Sequence, residues 1–174
     1  GKSLIGNPLA LRLVQKAISS AAGQAALIHY ALVWETAGFA KLMLDTFSRF
    51  EKNGISADVL TTQATNAEQT EIARIYTVYS KLLAESGWIS PAGLLNEATE
   101  TLVRNSAAIL QNAFPLLILD GFDSFDRDQL LLIHALEPYA ENMLITLPGS
   151  ADEADRYAYR RFTRSLEEIR PTLL

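Results

Sequence analysis

The sequence predicts a two-part α/β protein: a mainly helical unit over residues 1–110, followed by a partial α/β unit over 111–174. Three observations carry this. Apolar residues recur at three- and four-residue spacing through most of the first part. That period then gives way to a short apolar run closed by an acid, Leu116 to Asp120. A helical pattern, a second apolar run and another helical pattern follow, which is the strand–helix–strand–helix order of a parallel βαβ unit with a right-handed crossover.

Asn7 and Pro8 stand as cap and first helical residue for a helix over 8–21, with Leu9, Leu13, Ala17 and Ile18 on one face. Gln24 to Trp34 fits a short helix or a buried strand, and its length and alanine-rich flanks favour the helix. Beyond Gly38, the stripe Phe39, Leu42, Met43, Phe47 and Phe50 marks a helix that stops at Asn53-Gly54. Over 67–85, Ile72, Ile75, Tyr76, Tyr79, Leu82 and Leu83 form a stripe, with Glu68, Glu71, Arg74 and Lys81 expected to face elsewhere. Ser86-Gly87 closes that helix. Ser90-Pro91 starts the next, whose expected buried face is Leu94, Leu95, Ala98, Leu102 and Val103.

In the second part, Pro115 to Asp120 is expected to be a strand buried on both faces. Asp126 and Gln129 form a cap-and-return pair ahead of a helix ending near Leu136. Asn142 to Leu147 supplies a second strand, and Glu153 to Ile169 a last helix carrying Ala154, Ala158, Phe162, Leu166 and Ile169. The join between the parts falls near Ser106 to Ala113. Two strands are few for a free-standing doubly wound sheet. The remaining strands are expected outside this chain, and its abrupt start points the same way, to a segment of something longer.

Composition removes several functions. Of 174 residues, 49% are apolar, enough to bury a core, and Gly (9) and Pro (6) are too few for a low-complexity chain. With no cysteine there is no disulfide framework, thiolate metal site or thiol nucleophile. The formal net charge of -5 means that polyanions are repelled unless a local basic patch holds them. No segment reaches the ~20 apolar residues of a membrane-spanning helix. Gly1-Lys2-Ser3 lacks both the upstream glycine-rich turn and the helix that a phosphate-binding loop needs, because Gly6-Asn7-Pro8 interrupts.

The informative segment is Leu116-Leu-Ile-Leu-Asp120-Gly121-Phe122-Asp123-Ser124-Phe125-Asp126. In nucleoside triphosphatases an apolar strand ends in an Asp that helps hold Mg²⁺ on the nucleotide phosphates. Asp120 is therefore the candidate metal and cofactor-binding residue, against the plainer role of a strand-end residue capping a turn. Active enzymes usually follow that Asp with a Glu that prepares water for attack; Gly121 stands there instead and offers no base.

A buried strand ending Asp120-Gly121-Phe122, then Asp123-Ser124-Phe125, a helix with Gln129, and a Leu144-Ile145-Thr146-Leu147-Pro148 strand resembles the AddB/RexB-type subunits of bacterial ATP-dependent helicase–nuclease complexes, relatives of UvrD-like superfamily 1 helicases. Upstream, Ala37-Gly38-Phe39 leading a helix with Leu42 and Leu44, then Gly54-Ile55-Ser56, then the run from Glu71 through Tyr76 to Tyr79, is similar to their helical insertion. The resemblance spans Gly38 to Leu147. It implies a helical insertion followed by a partial RecA-like, P-loop-NTPase-like parallel-sheet unit with a degenerate Walker B strand. It also implies an internal, non-catalytic, cytoplasmic segment of a parent that acts in DNA double-strand break repair and recombination. The parent would hold ATP and Mg²⁺ at an upstream phosphate-binding loop, carry a nuclease domain downstream in many members, and work on DNA with an AddA-like subunit. No cofactor is expected in this chain itself. The competing reading is a self-contained helical and α/β protein-interaction module without a nucleotide or DNA role.

Other residues are weighed against simpler roles. Arg156, Arg160 and Arg164, four apart, line one helix face and are the candidate nucleic-acid residues, with Tyr157 and Tyr159 between them. Asp152, Glu153, Asp155, Glu167 and Glu168 are close enough to neutralise them, which favours a salt-bridged solvent face. Asp123, Asp126 and Asp128 read as a solvated acidic turn, since their spacing lacks an EF-hand's ring of oxygens. Phe122 and Phe125 read as anchors for the loop rather than stacking platforms. His29 and His134 are expected to be packed imidazoles.

Overall fold

The structure is a computed structural model, and it describes residues 1–104, 114–147 and 167. It is a mixed α/β fold with a helix-rich first part and two small parallel-strand sheets. Two compact units divide at Leu94/Leu95.

The first unit opens with strand β1 (Ser3–Leu4) and helix α1 (Asn7–Gln24). The residue flanking the helix is Gly6 rather than Asn7, so the expected cap shifts by one and Pro8 sits in the first turn, where its missing N–H costs nothing. Helices α2 (Ala37–Lys52), α3 (Ala57–Gln63) and α4 (Ala67–Glu85) follow, then strand β2 (Trp88–Ile89). Ser3 pairs with Trp88 and Leu4 with Ile89 in parallel register, closing the unit on itself.

The core is the facing sides of α1, α2 and α4. Val14 and Ala17 from α1, Phe47 from α2 and Ile75 from α4 are fully buried. The Phe47 ring lies 4.9 Å from Tyr76 and 5.2 Å from Tyr79, so one aromatic cluster ties α2 to α4. Val14, Phe47 and Ile75 each stabilise the fold by roughly 1.5–3 kcal/mol relative to exposure.

Beyond Gln24, where α1 ends, the stretch to Trp34 is neither helix nor strand, and a series of turns and bends runs on to Thr36. The reason lies across the unit. Glu71, expected on the outer face of α4, is only 4% exposed, and its carboxylate accepts hydrogen bonds from the backbone N–H groups of His29 (2.9 Å) and Tyr30 (3.2 Å). Arg74 adds a bond from its guanidinium to the Ala25 carbonyl (2.9 Å). Backbone groups committed to α4 side chains are not free to build a helix ladder. On α2, Leu42 is exposed although its spacing matched the stripe. Helix α3 was not expected; Ser56 caps it by accepting from the Val59 N–H (3.3 Å).

Helix α5 (Leu94–Arg104) starts later than Ser90-Pro91 predicted. Ser90 is buried and binds the Gly93 N–H (2.9 Å) while donating to Glu51 (2.7 Å), which fixes a turn over 91–93 before the helix begins. None of the face expected to be buried is fully so, and Leu94 and Val103 are exposed.

The second unit carries β3 (Leu117–Leu119), α6 (Arg127–Leu136), a single 3-10 turn at Glu137–Tyr139 and β4 (Met143–Ile145). Strand β3 pairs with β4 in parallel, Leu117 to Met143, Ile118 to Leu144 and Leu119 to Ile145, the βαβ order read from the sequence. Gln129 returns to the Asp126 N–H at 2.8 Å, as its spacing predicted. The strand is not buried on both faces: Leu119, Met143 and Ile145 pack with Phe122, Phe125 and Ile133, whereas Ile118 and Leu144 are about half exposed, at 54% and 51%. Among the described residues one helix, α6, packs on the sheet, and one layer covers one face. The expected last helix, Glu153 to Ile169, apart from Glu167, and the join near Ser106 to Ala113 lie outside the described residues.

No helix among the described residues is long and apolar enough to cross a membrane.

Candidate functional site

Asp120 follows the last residue of β3, at the carboxyl edge of the sheet, the edge where open α/β sheets bind ligands. It is exposed, and its carboxylate accepts a hydrogen bond from the hydroxyl of Thr146, which follows β4. The parallel register makes this contact: Thr146 N–H also donates to the Leu119 carbonyl at 2.9 Å. Sequence reasoning missed Thr146, whose partner is 26 positions away and leaves no local signal beyond the strand itself.

Gly121 turns the chain with φ 81°, a left-handed conformation that a side chain would strain. The residue standing where a catalytic Glu is usual is thus committed to the turn. Beyond it, Phe122 and Phe125 stack with centroids 4.9 Å apart, and Phe125 is buried with Ile133, so both serve as anchors. Asp123 and Asp126 are exposed, but Asp128 is only 2% exposed, which corrects the expectation of a wholly solvated acidic turn.

Tested against a Mg²⁺-nucleotide, the described residues do not fit. No three His, Asp or Glu among them gather at metal-holding distance. Gly1-Lys2-Ser3 runs into strand β1 where a phosphate loop would open a helix. One carboxylate and one hydroxyl do not cradle phosphates, and no hydrolytic step follows from them. Arg156, Arg160 and Arg164 lie outside the described residues.

The two histidines are exposed rather than packed; His29 Nε2 lies 4.0 Å from Glu68. Among the described residues, Glu51, Tyr30, Tyr76 and Tyr79 of the first unit have their ionisation perturbed by the fold. Burial raises the Glu51 carboxyl above its usual 4.5, with the Ser90 hydrogen bond opposing. Burial and then the Glu51 charge push Tyr76 to about 12, and the same two causes push Tyr79 higher still. Tyr30 is pushed to about 12 by burial and by Glu68. These shifts keep the phenols protonated at neutral pH.

The fold and site define a mixed α/β protein in which a parallel strand ends in an acid without a following base. A family model described as "ADDB, N-terminal" matches residues 10–170, and the chain belongs to that family. No curated protein matches it.

Proposed function

We propose that the chain is the helical insertion and partial RecA-like unit of an AddB-type helicase–nuclease subunit, with residues 1–110 as the helical part and 111–174 as the α/β part. The observation that carries this reading is the family match across residues 10–170. In it, Asp120-Gly121 is a degenerate Walker B strand, and the segment is non-catalytic: Asp120 is a remnant of a Mg²⁺-nucleotide ligand, tied to Thr146, and Gly121 supplies no base. The parent would act in cytoplasmic DNA double-strand break repair with an AddA-like subunit. ATP and Mg²⁺ would belong to other parts of that parent, and DNA would be held chiefly there, since the net charge of -5 opposes autonomous binding. Arg156, Arg160 and Arg164 are the residues of this chain suited to a phosphate backbone.

The purified chain is expected to hydrolyse no ATP above background, measured as phosphate release with Mg²⁺. Turnover abolished by Asp120→Ala would refute the non-catalytic reading. DNA affinity at physiological salt is expected to be weak or undetectable; a salt-sensitive complex lost when Arg156, Arg160 and Arg164 are neutralised would assign DNA contact to this segment itself.

A further inference from the structure

The net charge is not spread evenly along the chain. Residues 1–94 carry eight Lys and Arg against seven Asp and Glu, so the excess of acid lies beyond them. Within the first unit, α1 and α2 hold five Lys and Arg, with Asp45 and the half-buried Glu51 as their acids. Arg12, Lys16, Lys41 and Lys52 are exposed, and none of them pairs with a carboxylate among the described residues.

These four flank one junction. A recess between α1 and α2 is lined by Asn7, Pro8 and Leu11 of α1 and by Lys41, Leu44 and Asp45 of α2. An adjoining recess shares Asn7 and Leu44 and has Lys52 on its wall. Lys41 and Lys52 are separated by about three helical turns, so both lie on the α1 side of α2, about 16 Å apart along its axis. On α1, Arg12 and Lys16 continue the stripe of Pro8 at four-residue intervals. Helix α1 starts at the same junction with no side-chain cap and no acid in its first turn, which adds the positive end of its dipole to the field. Asp45 is the one carboxylate in either lining.

We propose that this α1–α2 face binds the phosphate backbone of duplex DNA without reading its sequence. DNA as the occupant rests on the function proposed above for the parent; the surface follows from the cations. Unpaired cations spread over about 16 Å call for a ligand that repeats its negative charge over that length, and a duplex presents one charge per ~1.7 Å of its axis. In either lining the one aromatic residue, Tyr79, is 1% exposed, so there is no platform on which the bases of a single strand would stack. The exposed Asn7 amide is a donor of the kind that phosphate oxygens accept. The face is the local basic patch that a chain of net charge -5 needs in order to hold a polyanion. Four phosphate contacts lose roughly 300-fold in affinity between about 20 and 100 mM salt, so the face binds at low salt and only weakly under physiological conditions.

A fluorescein-labelled duplex of about 20 base pairs and mixed sequence is titrated with the 174-residue chain in about 20 mM salt and followed by anisotropy, with an expected Kd on the order of 10 µM. Arg12→Gln/Lys16→Gln and Lys41→Gln/Lys52→Gln should each weaken binding by at least about tenfold and lower the salt slope by about 2, with unchanged circular dichroism because Gln is a good helix former. Lys81→Gln/Arg104→Gln removes the same charge from two ion-paired cations elsewhere and should change the affinity by less than about threefold. Asp45→Asn should tighten binding. Absence of duplex binding up to about 1 mM chain at that salt, or doubles on α1 and α2 no weaker than the Lys81/Arg104 control, overturns the proposal. Loss in Arg156→Gln/Arg160→Gln/Arg164→Gln with full affinity in both doubles also overturns this face, while leaving the DNA reading of the parent standing. Displacement of the duplex by polyglutamate at equal charge concentration would make an acidic protein segment the occupant and overturn DNA.

Discussion

Replacing Glu71 with alanine tests the claim that one buried carboxylate organises the segment between α1 and α2. Two backbone N–H groups, of His29 and Tyr30, donate to it at 2.9 and 3.2 Å. Hydrogen bonds to a charged acceptor contribute about 1.5–3 kcal/mol each, but this segment lies at the surface and water can take over freed donors. Both contributions therefore belong at the low end or below, and Glu71→Ala is expected to cost about 2–3 kcal/mol. Glu71→Gln keeps one carbonyl oxygen and should cost about half as much. Because the chain has two units, a single transition cannot be assumed, so urea unfolding followed by circular dichroism is paired with amide hydrogen exchange at His29 and Tyr30. Both amides should lose protection in Glu71→Ala. A stability change under about 0.5 kcal/mol with unaltered protection at both amides would refute the bracing role.

Two further predictions concern the aromatic cluster. The Tyr79 hydroxyl is buried with no hydrogen-bond partner, so Tyr79→Phe removes an unsatisfied polar group and should leave urea stability equal or raise it by up to about 1 kcal/mol; a loss greater than that would reveal a partner. Burial raises the folded-state pKa of Glu51, so its contribution to stability is fully present below its unfolded value and is lost as pH rises through the elevated folded value. Glu51→Gln, which retains an oxygen for Ser90, should therefore gain stability relative to the parent chain as pH is raised from about 4 to 8, and a pH-independent difference in urea midpoints would contradict that sign.

Much of this structure could be read from local pattern. Helix α4 begins and ends where its stripe and Ser86-Gly87 placed it, and Asp126 and Gln129 marked the start of α6 because a capping pair is a matter of three positions. The parallel pairing of β3 with β4 followed from the strand–helix–strand order. What escaped was set by distant partners. Glu71 stands four residues before Ile75, on the buried stripe itself, but a carboxylate reads as solvent-facing until the two N–H groups it serves are known. The apolar run from Gln24 to Trp34, with β-branched Ile28 and Val33, made the turn segment look like a core element, yet both of those residues are exposed. Strands β1 and β2 are two residues each, too short for any period to register. At the candidate site Asp120 was legible as an acid closing an apolar run, whereas the hydroxyl that engages it lay at the end of another strand.

The pairing of β1 with β2 also sets an order of events during synthesis. Trp88 and Ile89 are made well after Ser3 and Leu4, on the order of ten seconds later at ordinary elongation rates. Until then the sheet cannot form, and α1 must wait for the face of α4 that covers Val14 and Ala17. The first unit should thus stay open on the ribosome through most of its own translation, with its opening residues accessible to chaperones until the partner strand emerges.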